Sequence, residues 1–440
     1  LLLFGIYSLL AVAGGGLLLI APIVGFGAGA LSIAAGVLGV KRAIDPAQPF
    51  RVHLVHRLSP MAQIVMLLSN PYRPDPRVRK EAVALHKNGH AVQLYAWDRE
   101  VRYPTEETKE GIEVRRIHLA SSYDSFFEVL VNLPRVWGQM IWQLRSQPLD
   151  VIHAHDLDTL PVGLFIAKLR RKPCVFDAHE VYSAMIQRSV PGWVARFIRW
   201  LEGRLVPAAQ VVLTVNDTLG EIYEGLGARR VVVVMNAPHR AEIEGADPAP
   251  VRRKLGLEGA RVVLYAGMLE PSRNLDTLLR VFEGWTEAAP VLVVGGHGSL
   301  VEQIKERTRR APGVQFIGWI PSEEMASHVA ASDAVLLLDD PAYPIARVAT
   351  ATRLFFSMAL GVPMIASEGT GTAAVVLAED LGAVVPHDDV GAIRRALVAL
   401  LDDAPRRATI AQRAPQVFTA RYSWEIMQAR LVDTYRTLLG

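Results

Sequence analysis

The first 40 residues carry no charged side chain, and the first charge is Lys41. A bilayer core of about 30 Å is crossed by about 20 apolar helical residues. The run therefore suits two short spans better than one, with the glycines at 14–16 and the Ala21-Pro22 step making the reversal. Pro22 equally allows a kink in a single long segment. A cleaved leader is the competing reading, but the run is too long for a leader's apolar core and no basic stretch precedes it. A transmembrane hairpin over residues 1–40 is the expectation. Lys41, Arg42, Arg51 and Arg57 follow it, and the positive-inside rule then places the rest of the chain on the cytoplasmic face of a membrane.

Beyond a linker at 41–61 the pattern becomes an alternation of strands and helices. "QIVMLLS" (63–69) is a continuous apolar run, as in a strand buried on both faces. Val78, Ala82 and Leu85 then recur at helical spacing until Gly89. Further strands are predicted at "AVQLYAW", "IEVRRIHL", "DVIHAH", "KPCVFDAH", "QVVLTV" and "RRVVVVMN". Residues 238–260 are polar and hold Pro and Gly, as a domain boundary does. The rhythm restarts with "RVVLYAG", "PVLVVGG", "VQFIGWI", "AVLLLDD" and "VPMIAS". The expected fold class is α/β, with two doubly wound Rossmann-like domains at 62–237 and 261–410 and closing helices at 411–440. Ligands of such sheets sit at the carboxyl ends of the strands, so two facing domains make a cleft. The last helical stretch has an apolar pattern that fits either domain.

Composition narrows the classes. At 440 residues, 51% hydrophobic and with a mean hydropathy of +0.22, the chain exceeds one ordinary core. A net charge of +3 without a basic run argues against nucleic acid as a partner. A single cysteine, Cys174, allows no intrachain disulfide and agrees with a reducing compartment.

The strand exits hold the candidate chemistry. "DVIHAHDLDT" leaves His153, His155 and Asp156 at one exit, and "VFDAHEVYS" leaves Asp177, His179 and Glu180 at another. Such residues often cap helices or satisfy loop backbone, but two polar clusters at neighbouring exits favour function. A metal site is rejected: His153 and His155 share a strand face, yet no third ligand stands at a recognisable spacing and Asp156 points the other way. "LYAGMLEPSRNLDTLLR" places Gly267 at a strand end and Arg273 just before a helix, where fork geometry and helix dipole together suit a diphosphate. "VVGGHGSL" makes a close glycine turn at Gly296, without dinucleotide spacing. At "TATRLFFSMALG", Thr350, Ala351, Thr352 and Arg353 present backbone N–H groups, hydroxyls and a guanidinium to an anion. The residues behind them, "LFF", offer no carboxylate for a sugar or ribose.

Together "DPRVRKEAVALHKNGHAV", "DVIHAHDLDTLPVGLFIAKLRRKPCVFDAHEVY", "VVLTVNDTLGEIY", "VVLYAGMLEPSRNLDTLL" and "LGVPMIAS" resemble the retaining GT-B glycosyltransferases of group 1, family 4, across about residues 62 to 438. The resemblance implies a nucleotide-sugar co-substrate in the cleft, its nucleotide on the C-terminal domain and the acceptor on the N-terminal one, with no metal and no cofactor. Carried over by residue, Arg273 resembles the basic contact to the donor diphosphate, and His179 the histidine beside the reacting sugar. Thr350 to Thr352 are similar to the diphosphate-receiving helix start. In this frame Asp177 and Glu180 join His179 as catalytic candidates. Gly267, Gly296 and Arg353 join the donor side, and Asp75, Arg77 and His155 the acceptor side. The implied chemistry is front-side displacement with retention, the leaving oxygens stabilised by positive groups.

The chain departs from that family in places. The two family glutamates correspond to Val348 and Phe356; relatives of this subtype keep the second within stretches such as "NKLFEYMAAG", where this chain reads "TRLFFSMALG". Phenylalanine cannot accept from ribose hydroxyls, forfeiting about 1–3 kcal/mol for each buried group left unpaired. The arginine usual after "YAG" is Met268, and the glycine-rich loop after the first strand is "SNPYRPDPR".

"SFFEVLVNLPRVWGQMIWQLRSQ" (125–147) and "PGWVARFIRWLEGRL" (191–205) mix aromatic residues with arginine. Trp193, Phe197, Trp200 and Leu201 share a stripe flanked by Arg196, Arg199 and Arg204, which suits a membrane interface as well as packing on a sheet. The expected activity is sugar transfer from a nucleotide-diphosphate sugar to a lipid-linked or glycan acceptor at a membrane. The alternative is a non-catalytic GT-B relative acting as scaffold or partner subunit in a membrane complex. A sugar-nucleotide epimerase shares the architecture, but the order of motifs disfavours it.

Overall fold

Runs of β-branched and aliphatic residues with little polar alternation become the interior strands of two sheets. The structure, a computed structural model, describes residues 61–440 except 74, 123–125, 186–189, 286–288, 310 and 312. The expected hairpin over 1–40 and the linker up to residue 60 lie outside the described residues. Among the described residues no helix is long and apolar enough to cross a membrane.

The N-terminal sheet holds β1 (Gln63–Leu68), β2 (Ala91–Asp98), β3 (Glu106–Lys109), β4 (Ile112–His118), β5 (Val151–His155), β6 (Cys174–Ala178), β7 (Val211–Thr214) and β8 (Val231–Val233). Their order is β3-β4-β2-β1-β5-β6-β7-β8. Every pairing is parallel except β3 with β4. The sequence reading misses β3, because "EETK" is polar and lies at the sheet edge, partly exposed. Its signal is the turn: Glu110 and Gly111 both take positive φ, 52° and 80°, as a tight hairpin requires.

The second sheet holds β9 (Val262–Met268), β10 (Val291–His297), β11 (Val314–Gly318), β12 (Ala334–Leu337), β13 (Met364–Ser367) and β14 (Gly382–Val385). All pair in parallel, in the order β11-β10-β9-β12-β13-β14. In each sheet the order reverses beside its first strand, at β1/β5 and at β9/β12. Ligands of open α/β sheets bind outside such switch points. The 238–260 stretch contains helices Arg240–Glu244 and Pro248–Leu255.

One face of the N-terminal sheet is covered by helices Phe126–Leu144 and Leu160–Arg170, whose Val136, Met140, Leu144, Leu160 and Ile166 pack on Leu67, Ile152 and Phe176. The other face joins the core that also fills the C-terminal lobe. The closing helix, Trp424–Leu439, settles the question the pattern left open by returning to the N-terminal lobe: Tyr435 bonds His153, and Arg430 donates to the Val233 carbonyl.

Candidate functional site

Parallel register sets up the N-terminal half of the site. His155 on β5 lies directly opposite Asp177 on β6, and His153, two residues earlier, is opposite Val175. Side chains two apart share a face, so His153 and His155 stack, their centroids 4.2 Å apart. Helix Pro76–Lys87 crosses beneath them, started by Asp75, whose carboxylate accepts from the Val78 N–H at 3.1 Å. That cap aims Arg77 and, one turn on, Glu81 into the sheet.

Asp177 is wholly buried. Its Oδ2 accepts from Arg77 Nε (3.0 Å), His155 Nδ1 (3.1 Å) and His179 Nε2 (2.9 Å), while Oδ1 takes Arg77 Nη2. Burial opposes its ionisation, yet Arg77 and His179 hold it well below the usual carboxylate range. Arg77 also donates to the Val234 carbonyl at 2.6 Å and lies 3.1 Å from Glu81. Burial pushes Glu81 up to about 8 even so. On the far side the Tyr435 hydroxyl and His153 Nδ1 share a hydrogen bond of 2.7 Å. Burial and the adjacent His155 hold His153 well below its ordinary value, so it is a neutral ring that faces Glu81 with Nε2 at 3.8 Å.

The cluster places several of the predicted residues. Asp75, Arg77 and His155, expected to meet an acceptor, stand here as helix cap, buried cation and partner of Asp177. Asp177, expected among the catalytic groups, is buried with both oxygens bonded by protein donors, His179 among them. The metal question also changes its ground. Glu81, His153, His155 and Asp177 bring ligand atoms within 4.8 Å of one another, so further ligands do exist, supplied from a helix and from the next strand. The place of a cation there is taken by the Arg77 guanidinium, which bonds both Asp177 oxygens.

His179 is the partly exposed member of the cluster, its side chain 24% exposed. Burial opposes its charge, but Asp156 (Oδ1 to Nδ1, 3.5 Å) and Asp177 together push it up to about 10. It is therefore an imidazolium at neutral pH. Asp156 holds φ at 62°, a left-handed conformation that costs a non-glycine residue about 1–3 kcal/mol and is retained where the surroundings demand it. Glu180 follows, raised to about 7 by burial and by Asp156, and lowered in part by His179 and by Arg273 of the other lobe.

The pairing of His179 with two carboxylates has a thermodynamic consequence. A histidine whose folded pKa exceeds its unfolded value stabilises the fold below about pH 6.5 and loses that contribution as pH rises toward about 10. Urea unfolding between about pH 8.5 and 10, above the titration of Glu81 and Glu180, is expected to show stability falling with pH, because His179 and the Cys174 thiol, which burial pushes up to about 12, each hold a proton that the unfolded chain releases. His179→Gln is expected to lessen that slope by about 1 kcal/mol per pH unit and to leave the Cys174 part, and an unchanged slope would remove the imidazolium.

On the C-terminal lobe the exits of β9 and β12 gather Gly267, Arg273, Asp339 and Arg353. Arg273 Nη1 lies 3.1 Å from Asp339 Oδ1 and Arg353 Nη2 3.6 Å from the same oxygen. Helix Thr352–Leu360 starts at Ala351 with no side-chain cap. From its first turn Arg353 runs back to β9, stacks on the Tyr265 ring at 4.6 Å and donates Nη1 to the Ala266 carbonyl. Among the described residues its Nε and Nη2 have no hydrogen-bond partner, although the residue is 7% exposed. Gly267 (φ 153°) is required here, since a Cβ would collide with that guanidinium. Gly296 is required by backbone packing, its missing Cβ lying where the Gly267 carbonyl sits. Thr350 accepts from Asn216 Nδ2 of the N-terminal lobe at 3.2 Å, and Asn216 also donates to the Val348 carbonyl at 2.6 Å. Ala351 N–H donates to Thr372 Oγ1 at 3.1 Å, and Thr352 is exposed. Phe356 is buried in the lobe's core and Met268 is 43% exposed.

Sequence reasoning overlooks Glu81, Asp339 and Tyr435. Asp339 is legible in principle, as a carboxylate at the exit of "AVLLLDD". Tyr435 has no local signal, since its partner lies 282 residues away.

Residues 74–239 match the glycosyl transferase 4-like domain and residues 260–403 the glycosyl transferases group 1 domain. The D-inositol 3-phosphate glycosyltransferase of Corynebacterium urealyticum is 30% identical over 388 residues, 82% of this chain and 89% of that protein. The sucrose-phosphate synthase of Thermosynechococcus elongatus superposes with a TM-score of 0.71 at 18% identity, covering 86% of this chain and 99% of that one. Anabaena HepE in complex with UDP-glucose gives 0.65 at 17% identity, over 86% and 100%. At these identities the likeness to the solved structures is one of fold.

Proposed function

The chain belongs to the group 1 glycosyltransferases with two Rossmann-like lobes, and on that premise we propose that it moves a sugar from a nucleoside-diphosphate donor to the hydroxyl of a lipid-linked or glycan acceptor. The observation that carries this reading is the pair Arg273 and Arg353 gathered on Asp339 at the β9/β12 switch, with the His179 imidazolium at the exit of β6. Two guanidiniums outweigh one carboxylate, leaving net positive charge where a diphosphate departs.

In the proposed step the bond from the anomeric carbon to the diphosphate oxygen breaks and a bond to the acceptor oxygen forms on the same face, with retention. The acceptor proton passes to the leaving diphosphate oxygen. Arg273 and Arg353 stabilise the charge developing there, while His179, fixed by Asp156 and Asp177, donates toward the sugar. The apolar N-terminal run and the basic residues after it support work at the cytoplasmic face of a membrane.

A panel of nucleoside-diphosphate sugars screened by thermal shift tests the reading. At least one is expected to stabilise the chain, and Arg273→Ala to weaken that donor about 10- to 100-fold, the worth of a charged hydrogen bond. Phe356, buried where relatives hold a carboxylate, favours a second reading, a scaffold that keeps the shape without the chemistry. Absence of stabilisation across the whole panel would decide for the scaffold.

A further inference from the structure

The helices over one face of the N-terminal sheet show an outer surface that differs from the rest of the molecule. Val131 and Trp142 on helix Phe126–Leu144, Leu169 on helix Leu160–Arg170, and Trp193, Phe197 and Trp200 on helix Gly192–Leu205 are all exposed, Trp142 at 65%, Trp193 at 57% and Trp200 at 55%. Trp193, Phe197 and Trp200 follow i, i+4, i+7 spacing, so they form one stripe pointing away from the core. Their helix buries only Val194, Ala195 and Glu202. The packing alternative is thereby answered for this helix: its aromatic stripe is outside.

Charge on this face has one sign. The helices carry Arg135, Lys168, Arg170, Arg196, Arg199 and Arg204, against Glu128 at one end and Glu202 buried within. Among the described residues none of Arg135, Arg145, Arg196, Arg199 and Arg204 pairs with a carboxylate. Arg145 lies over Trp142 (4.5 Å) and Arg204 over Trp200 (5.6 Å). Several arginines elsewhere are paired with carboxylates: Arg307 with Asp276 and Glu283, Arg261 with Asp402, and Arg79 with Glu110.

We propose that this face seats on an anionic lipid bilayer. Tryptophan rings settle at the boundary of headgroups and acyl chains, and arginines keep their stems in the apolar layer while the guanidiniums reach lipid phosphates. A folded protein partner would bring shaped contacts and carboxylates, whereas a bilayer needs only a convex, cationic, aromatic surface.

The seat is also wired to the cleft. Glu202, on the inner side of the lipid-facing helix, accepts from Ser183 Oγ at 2.8 Å, and its other oxygen lies 3.2 Å from the Tyr223 hydroxyl. Tyr223 in turn donates to the Glu180 carbonyl at 2.9 Å. The segment after His179 is thus held by the helix that rests on lipid, and an acceptor lying in the bilayer surface comes to the mouth of the site.

Tryptophan fluorescence of the full chain tests this, because residues 1–40 contain no tryptophan and insertion of that run, which would tether the chain to vesicles of either charge, adds no quenched ring of its own. The protein is mixed with vesicles of phosphatidylcholine, alone or with phosphatidylglycerol, containing acyl-brominated lipid as quencher. Quenching is expected on the anionic vesicles. It should be mostly lost in W142F/W193F/W200F and in R196Q/R199Q/R204Q, and kept in W319F, whose ring is exposed on the other lobe. Retention of quenching in the tryptophan triple variant would overturn the proposal. So would indifference to the arginine variant, or emission already typical of buried rings without vesicles, which would mean that this face is covered by the chain itself or by a second copy. No sugar transfer enters the measurement, so its failure leaves the proposed function standing.

Discussion

Replacing Arg77 by methionine is expected to destabilise the N-terminal lobe by about 3–5 kcal/mol, the usual result of stripping one partner from a buried ion pair. The large effect follows from what the guanidinium holds. It bonds both oxygens of wholly buried Asp177, lies against buried Glu81, and ties helix Pro76–Lys87 to the Val234 carbonyl. Methionine fills much of the space but leaves Asp177 with His155 and His179 alone. A shift in the urea midpoint, followed by circular dichroism, reads the loss. Adding Asp177→Asn to the variant is expected to recover part of it, since the orphaned charge is then gone. A loss under about 1 kcal/mol, or no recovery in the double variant, would show that the cluster does not rest on this pair.

The same cluster shows what the chain's pattern could reveal. His155, Asp177 and His179 are visible as polar residues ending apolar runs, and parallel register does the rest: a histidine and an aspartate at the same height of neighbouring strands must meet. Arg77 and Glu81 are also in plain view, but their direction is not. A helix starting "DPRVRKEA" offers several charges, and only the crossing over the sheet decides that two of them turn inward. Rejecting a metal from spacing alone reasoned from too little, because ligands can come from separate elements. What fills the cluster is a guanidinium, which no spacing rule reports. The doubly wound order of both sheets was readable because buried parallel strands are apolar throughout, whereas polar β3 at the edge was not.

Phe356 and Met268, which stand where the resemblance leads one to expect a glutamate and an arginine, look like independent departures when read along the chain. In space they belong together. Arg353 reaches the carbonyl of Ala266 and the open side of Gly267, immediately before the position where relatives place their arginine. It therefore brings a second positive charge to the β9 exit from a different element. Phe356 stands three residues further along the same helix, and side chains at that spacing meet. A glutamate there would pair with Arg353 and draw it from β9.

Phe356→Glu is accordingly expected to weaken, and not restore, the binding of nucleoside diphosphates. The new carboxylate enters a buried core position, where ionisation is costly without a partner, and Arg353, three residues before it on the same helix, is the cation proposed to meet the diphosphate. Calorimetric titration with UDP and GDP should show Arg353→Met and Phe356→Glu each costing about 10- to 100-fold, on the scale of a charged hydrogen bond. The two together should cost little more than either, because both remove the same guanidinium. Met268→Arg supplies the decisive comparison. Position 268 is exposed enough to accept an arginine. In the Arg353→Met background that substitution should return most of the lost affinity, while in the otherwise unaltered chain it should add little. A tighter complex after Phe356→Glu would mean that a ribose pocket survives and lacks only its carboxylate, and Arg353 would then lose its place in donor binding.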